Sequence, residues 1–182
     1  MNRASLFLGV DPGVNGGLAV GAVTDRTNAP VLVECIDIPV IGTGAKERVD
    51  VAAIRNFIER HKPGYALIER AGAHPGQGVS SSSKYGRAVG AIEAAVALCS
   101  VPMEIVEPSA WKKFYKLPGK DKEAARQKAL QLFPSAHAML ARRKDHGRAE
   151  SALLALYRVE RERQYGPAPI VGRTRGLRPA RL

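Results

Sequence analysis

Five residues combine hydrolytic chemistry with positions that ordinary folding does not explain. Asp11 ends the apolar run Leu6-Phe7-Leu8-Gly9-Val10, just before Pro12-Gly13. Aspartate before Pro-Gly is also a frequent turn residue, so alone it says little. Glu69 closes a second apolar run, Tyr65-Ala66-Leu67-Ile68, where no helix needs capping. If the two runs are parallel neighbouring strands, both carboxylates emerge at one edge, in the crevice where open α/β sheets bind ligands. Glu150 shares a helical face with Leu153, Leu154 and Tyr157, at spacings of three, four and seven. Burying a carboxylate there is costly unless it is neutralised, by Arg148, by Arg70 or by a cation shared with Asp11 and Glu69. Asp145 and His146 stand just upstream. His146, four residues before Glu150, can share its face, whereas Asp145 reaches the same place only from a loop or caps the helix. Either can be the fourth ligand, and Asp145 is counted with Asp11, Glu69 and Glu150 among the expected metal ligands.

Such hard oxygen ligands suit Mg²⁺, with Mn²⁺ as a substitute, and not zinc. Two ions ~4 Å apart can activate water and stabilise a leaving oxygen during in-line attack on a phosphate. His146 can bind metal, orient water or protonate the leaving group. The pattern suggests no Ser-His-Asp or Cys-His nucleophile. Gly119-Lys120-Asp121-Lys122 lacks the strand context and spacing of a phosphate loop.

The elements that must position these groups can be read from periodicity. Residues 5–10 and 16–23 make a hairpin, and 31–38 a third strand closed by Pro39. Asp50 caps a helix over 51–60, with Val51, Ile54, Phe57 and Ile58 on its apolar face. Residues 65–68 form a buried strand, 71–83 a Gly/Ser-rich loop, 83–98 a long helix and 103–106 a fifth strand. A short helical turn follows at 111–115, then an amphipathic basic helix over 120–133 and a last helix over 147–162. This order predicts an α/β chain of RNase H-like type, a five-stranded mixed sheet flanked by helices. The domain is expected over residues 1–162. Residues 163–182 hold five arginines, three prolines and no acids, and read as a flexible basic tail.

Charge narrows the partner. Twenty-eight Lys and Arg against seventeen Asp and Glu leave a formal charge of +11, which points to a polyanion, most often nucleic acid. Candidate phosphate contacts are Arg70, Lys84, Arg87, Lys112, Lys113, Lys120 and Lys122. Cys35 and Cys99 lie in apolar runs and suit buried thiols in a reducing compartment. The chain has no secretory signal pattern and no apolar stretch near the ~20 residues of a membrane span. A cytoplasmic protein without membrane contact is expected.

Leu8-Gly9-Val10-Asp11-Pro12-Gly13, Leu67-Ile68-Glu69 and the segment from Gly147 to Ala155 together resemble the RuvC-type Holliday junction resolvases. Pro75-Gly76-Gln77-Gly78-Val79-Ser80-Ser81 and Trp111-Lys112-Lys113 with Gly119-Lys120-Asp121-Lys122 resemble the phage and prophage-like branch. The likeness spans about residues 6–157 and omits the tail. It implies a homodimeric, Mg²⁺-dependent endonuclease that resolves four-way DNA junctions by paired nicks, with Asp11, Glu69 and Glu150 as metal ligands. The better-known bacterial members carry an acid or histidine three positions before the final carboxylate, and here that position is Gly147. Asp145-His146 are expected to supply the missing group. A branch-migration helicase is a conceivable partner that nothing in the sequence indicates.

A four-way junction has approximate two-fold symmetry, which suits an isologous dimer. The small residues Ala88, Gly90, Ala91, Ala94 and Ala95 could pack one copy's helix on another's, or pack on the sheet. The alternatives are an RNase H-like nuclease acting on RNA or on other branched DNA, and a non-catalytic nucleic-acid-binding module. A sugar-kinase or actin-like ATPase would need a second domain and more phosphate loops than the length holds.

Overall fold

The computed structural model describes residues 5–23, 29–70, 72, 78–117 and 121–166. A continuous apolar run gives β1 (Ser5–Asp11), which turns through Pro12 to Asn15 into β2 (Gly17–Val23). β3 (Pro30–Asp37) completes an antiparallel meander. A two-residue hairpin not expected from the sequence, β4 (Val40–Ile41) with β5 (Arg48–Val49), lies outside the main sheet. α1 (Val51–His61) begins at Asp50, whose side chain accepts a hydrogen bond from the Ala53 amide at 3.0 Å. The cap satisfies an amide that the first helical turn leaves unpaired.

β6 (Tyr65–Glu69) pairs parallel with β1, and β7 (Met103–Val106) pairs parallel with β6. The sheet order is β3-β2-β1-β6-β7, the five-stranded mixed arrangement expected from the sequence. Between β6 and β7 runs α2 (Val79–Leu98). Its start corrects the expected loop: residues 79–83 are already helical. Serine is a poor helix-interior residue, but Ser80 and Ser81 fall in the first turn, where amides have no intrahelical partner, and cost little there, while the Ser82 amide already donates to Gly78 O at 3.0 Å. Buried Ala88, Ile92, Ala95 and Val96 hold the helix to the sheet. The rest of that expected loop, except Gly72 and Gly78, lies outside the described residues.

α3 (Pro108–Phe114) and α4 (Lys122–Leu132) follow, and α5 (His146–Tyr165) ends the described chain. α5 runs past the expected boundary at 162. The expected tail from 167 onward lies outside the described residues. Two cores fill the two faces of the sheet. Leu8, Val10, Ala66 and Ile68 pack under α1 and α2, whereas Leu67, Val106, Trp111, Leu153 and Leu154 pack with α3 and α5. Each buried Leu, Ile or Val among them contributes on the order of 1.5–3 kcal/mol. Gly9 lets α5 lie directly on β1, because a β-carbon there would overlap Ser151 O and Ala155 N. Among the described residues no helix is long and apolar enough to cross a membrane.

Candidate metal centre

Strand register places the first two carboxylates. β1 and β6 run parallel, and their last paired residues are Val10 and Ile68. Asp11 and Glu69 are each the next residue, side by side where the strands end. Side chains alternate across a strand, so Asp11 points with Gly9 and Glu69 with Leu67, toward the α5 face. Glu150, one turn into α5, meets them there. One ligand atom from each of Asp11, Glu69 and Glu150 lies within 4.8 Å of the others. They are three of the four residues expected as metal ligands, Asp145 being the other, and three separate elements bring them together.

Their electrostatics are those of a site short of positive charge. Burial, followed by the repulsion of Glu150, pushes the Glu69 carboxyl up to about 7, while Lys112 pulls it the other way. Glu69 Oε2 is buried and has no hydrogen-bond partner. An ionised oxygen left in that state is expensive unless a cation meets it. Three oxygen donors with one unsatisfied lone-pair site fit a divalent metal of the hard class. The only cation paired with Glu150 among the described ion pairs is Lys112, whose Nζ lies 3.4 Å from Oε1. Neither arginine considered from the sequence does this. Arg148 makes two 2.7 Å hydrogen bonds to Asp37, and Arg70 is paired with Glu107.

Of the two candidates for a fourth group, the structure brings only one to the carboxylates. His146, at the start of α5, lines the same crevice as Asp11, Glu69 and Glu150. Asp145 turns away. It is 1% exposed and accepts hydrogen bonds from the Arg142 amide at 2.8 Å and from the Arg142 guanidinium at 2.9 and 2.6 Å. Burial alone would raise its pKa, but Arg142 outweighs that and holds the carboxyl below its usual value. Asp145 thus belongs to an ion-paired knot with Arg142, Arg148 and Asp37 that ties the start of α5 to the end of β3.

Gly147 explains why no ligand stands three residues before Glu150. A β-carbon at 147 would lie 2.8 Å from Asn15 O and 3.0 Å from Gly16 Cα, and one at Gly17 would lie 2.6 Å from Gly147 O. Helix and hairpin backbones touch here, so no side chain fits.

The crevice over the carboxylates has a volume of about 1090 Å³. Lys112 and Lys113, two of the expected phosphate contacts, line it, and so does Lys116, which the sequence reading did not single out. Lys116 lies just beyond α3 with φ 55°, in the left-handed region. Only the spacing from Lys112 and Lys113 hints at it. The other expected contacts are scattered. Lys84 and Arg87 line a separate apolar groove of about 460 Å³, and Lys84 donates to Gly44 O at 3.2 Å and lies 3.8 Å from Glu47. Arg70 is held by Glu107. Lys120 and the side chain of Lys122 lie outside the described residues.

No protein-family model and no curated protein matches the sequence. Solved structures do match. RuvC of T. thermophilus in complex with a Holliday junction substrate superposes with a TM-score of 0.62 at 19% identity, over 89% of this chain and 97% of that one. A second Thermus thermophilus RuvC structure gives 0.62 at 21% identity, over 87% and 96%. The fowlpox virus Holliday junction resolvase gives 0.55 at 14% identity, over 87% and 99%. The chain therefore has the RNase H-like fold of these resolvases.

Proposed function

We propose that this protein is a metal-dependent endonuclease that resolves four-way DNA junctions. One observation carries the reading: three carboxylates from β1, β6 and α5 converge, one of them with an unpartnered buried oxygen, beneath a wall of lysines. A conformation that costs this much without a cation is sensible if a cation belongs there. Asp11, Glu69 and Glu150 would hold Mg²⁺, with Mn²⁺ as a substitute. When bound, the metal supplies Lewis acidity at the phosphodiester and a nucleophilic water at neutral pH.

The chain's own residues do the rest. Lys112, Lys113 and Lys116 attract and seat phosphates, a contact that ignores base sequence. His146 is the fourth active-site group, placed to orient water or to pass a proton. Asp145 works indirectly, by keeping the start of α5 fixed to β3. Solved structures similar to this chain include RuvC holding a Holliday junction substrate and two Holliday junction resolvases, which favours branched DNA over other substrates. A junction needs two matched cuts, and so a dimer. On α2, Ala88 and Ala95 are buried in the core, whereas Gly86, Gly90 and Ala94 face outward at a spacing of four. That outward row is where a second copy would pack. We place the activity in the cytoplasm, with no membrane partner.

Asp11→Asn and Glu69→Gln test the site. Both variants are expected to bind a four-way junction within a fewfold of the parent while cutting it at least about a thousandfold more slowly. Undiminished cutting by both would remove the metal site from the reading.

A further inference from the structure

The crevice has two unlike walls. α3 and the residues after it supply Lys112, Lys113 and Lys116 on the sheet face that carries α5. From the opposite sheet face, α2 sends Tyr85 over the strand ends into the same crevice. The ring lies against the turn that follows Asp11: a β-carbon on Gly13 would come within 2.9 Å of Tyr85 Cε2. Gly13 also has φ 124°, so the turn and the ring are accommodated by the same absent side chain.

A nucleic-acid strand has a matching asymmetry, with anionic phosphates on one side and flat, apolar bases on the other. With the phosphates on the lysine wall, the nucleoside faces α2. We infer that Tyr85 is a substrate-contacting residue, its ring stacking on the nucleoside next to the scissile phosphate. This assignment rests on the nuclease reading above and adds which side of the strand meets which wall. A tyrosine phenol is un-ionised near neutral pH, so Tyr85 presents an uncharged ring. Stacking on an aromatic side chain tolerates any base, which suits an enzyme that grips phosphates without reading sequence.

The experiment uses the full chain with Tyr85→Phe, Tyr85→Trp and Tyr85→Leu. The probe is a four-way junction carrying 2-aminopurine at the crossover. Quenching of its fluorescence is read in Ca²⁺, which needs no cleavage, and KM and kcat are read in Mg²⁺. Mn²⁺ binding is followed by electron paramagnetic resonance as a check on the carboxylates and the fold. Phe and Trp are expected to keep the quenching and to hold KM within about threefold. Leu is expected to lose the quenching and to raise KM roughly tenfold, with kcat little changed, as for a contact made equally in ground and transition states.

Parental KM and quenching in the Leu variant would overturn the assignment. Loss of Mn²⁺ binding in the Phe variant would also overturn it, because Tyr85 would then act by supporting the carboxylates. A parent that binds and quenches the junction without cutting it would refute the nuclease reading, and the quenching series would still judge Tyr85. A parent that binds no junction would overturn both.

Discussion

Replacing Glu69 by glutamine should make the metal-free protein more stable while destroying its metal site. The carboxyl is raised from 4.5 to about 7, chiefly by burial and then by Glu150. A raised folded-state value means that the native protein favours the protonated acid. Stability is therefore full below pH 4.5 and is lost as the pH rises toward 7. A displacement of that size, at ~1.4 kcal/mol per tenfold, amounts to about 3 kcal/mol at pH 8 and about 1 kcal/mol at pH 5. Glutamine keeps the shape and carries no charge, so it escapes this cost. The assay is urea unfolding of parent and Glu69→Gln in EDTA at both pH values. The variant should be the more stable by about 2–3 kcal/mol at pH 8, with the gap shrinking at pH 5. Excess Mg²⁺ should stabilise only the parent, by mass action. A variant less stable than the parent at pH 8 in EDTA would refute the reasoning, because Glu69 would then be favourably paired without a metal.

Asp145→Asn should cost about 1–3 kcal/mol of stability above pH 4, since it weakens the buried bonds to Arg142, and Mn²⁺ affinity measured on the folded variant should be unchanged. Weakened Mn²⁺ binding would make Asp145 a ligand after all. Gly147→Ala should destabilise by about 2–4 kcal/mol in the same unfolding assay, since its β-carbon meets the backbone of Asn15 and Gly16 and neither can step aside. A neutral effect would mean that α5 and the hairpin are not in contact. The double variant Lys113→Ala with Lys116→Ala should flatten the salt dependence of junction binding by about 2 in log–log slope. An unchanged slope would remove both from the phosphate wall.

Much of this site was legible because it follows from local periodicity. Two apolar runs that each end on a carboxylate, and a helix face that mixes Glu150 with leucines, need only parallel pairing to converge. The five-stranded mixed sheet and most helices followed from the same patterns. What stayed hidden depends on partners distant in sequence or on backbone contact. Arg142 claims Asp145 through a tight turn before α5, so a carboxylate with plausible spacing faces the wrong way. Lys84 is engaged by Gly44 and Glu47, from a segment that no periodicity ties to α2. Gly147 looked like a missing ligand, and only the contact with Gly16 shows that the position cannot hold one. Lys116 enters the crevice by a left-handed residue after α3, a conformation that its side chain does not announce. The helical start of α2 was masked by four serines, whose preference for turns is overridden by the packing of Ala88 and Ile92.

The most direct test of the central claim is cleavage of a labelled synthetic four-way junction beside a matched linear duplex, with Mg²⁺ and with EDTA. Paired, symmetric nicks in the junction alone, abolished by EDTA, are the predicted result. Absence of cutting with either Mg²⁺ or Mn²⁺, or cutting that survives EDTA, would contradict it.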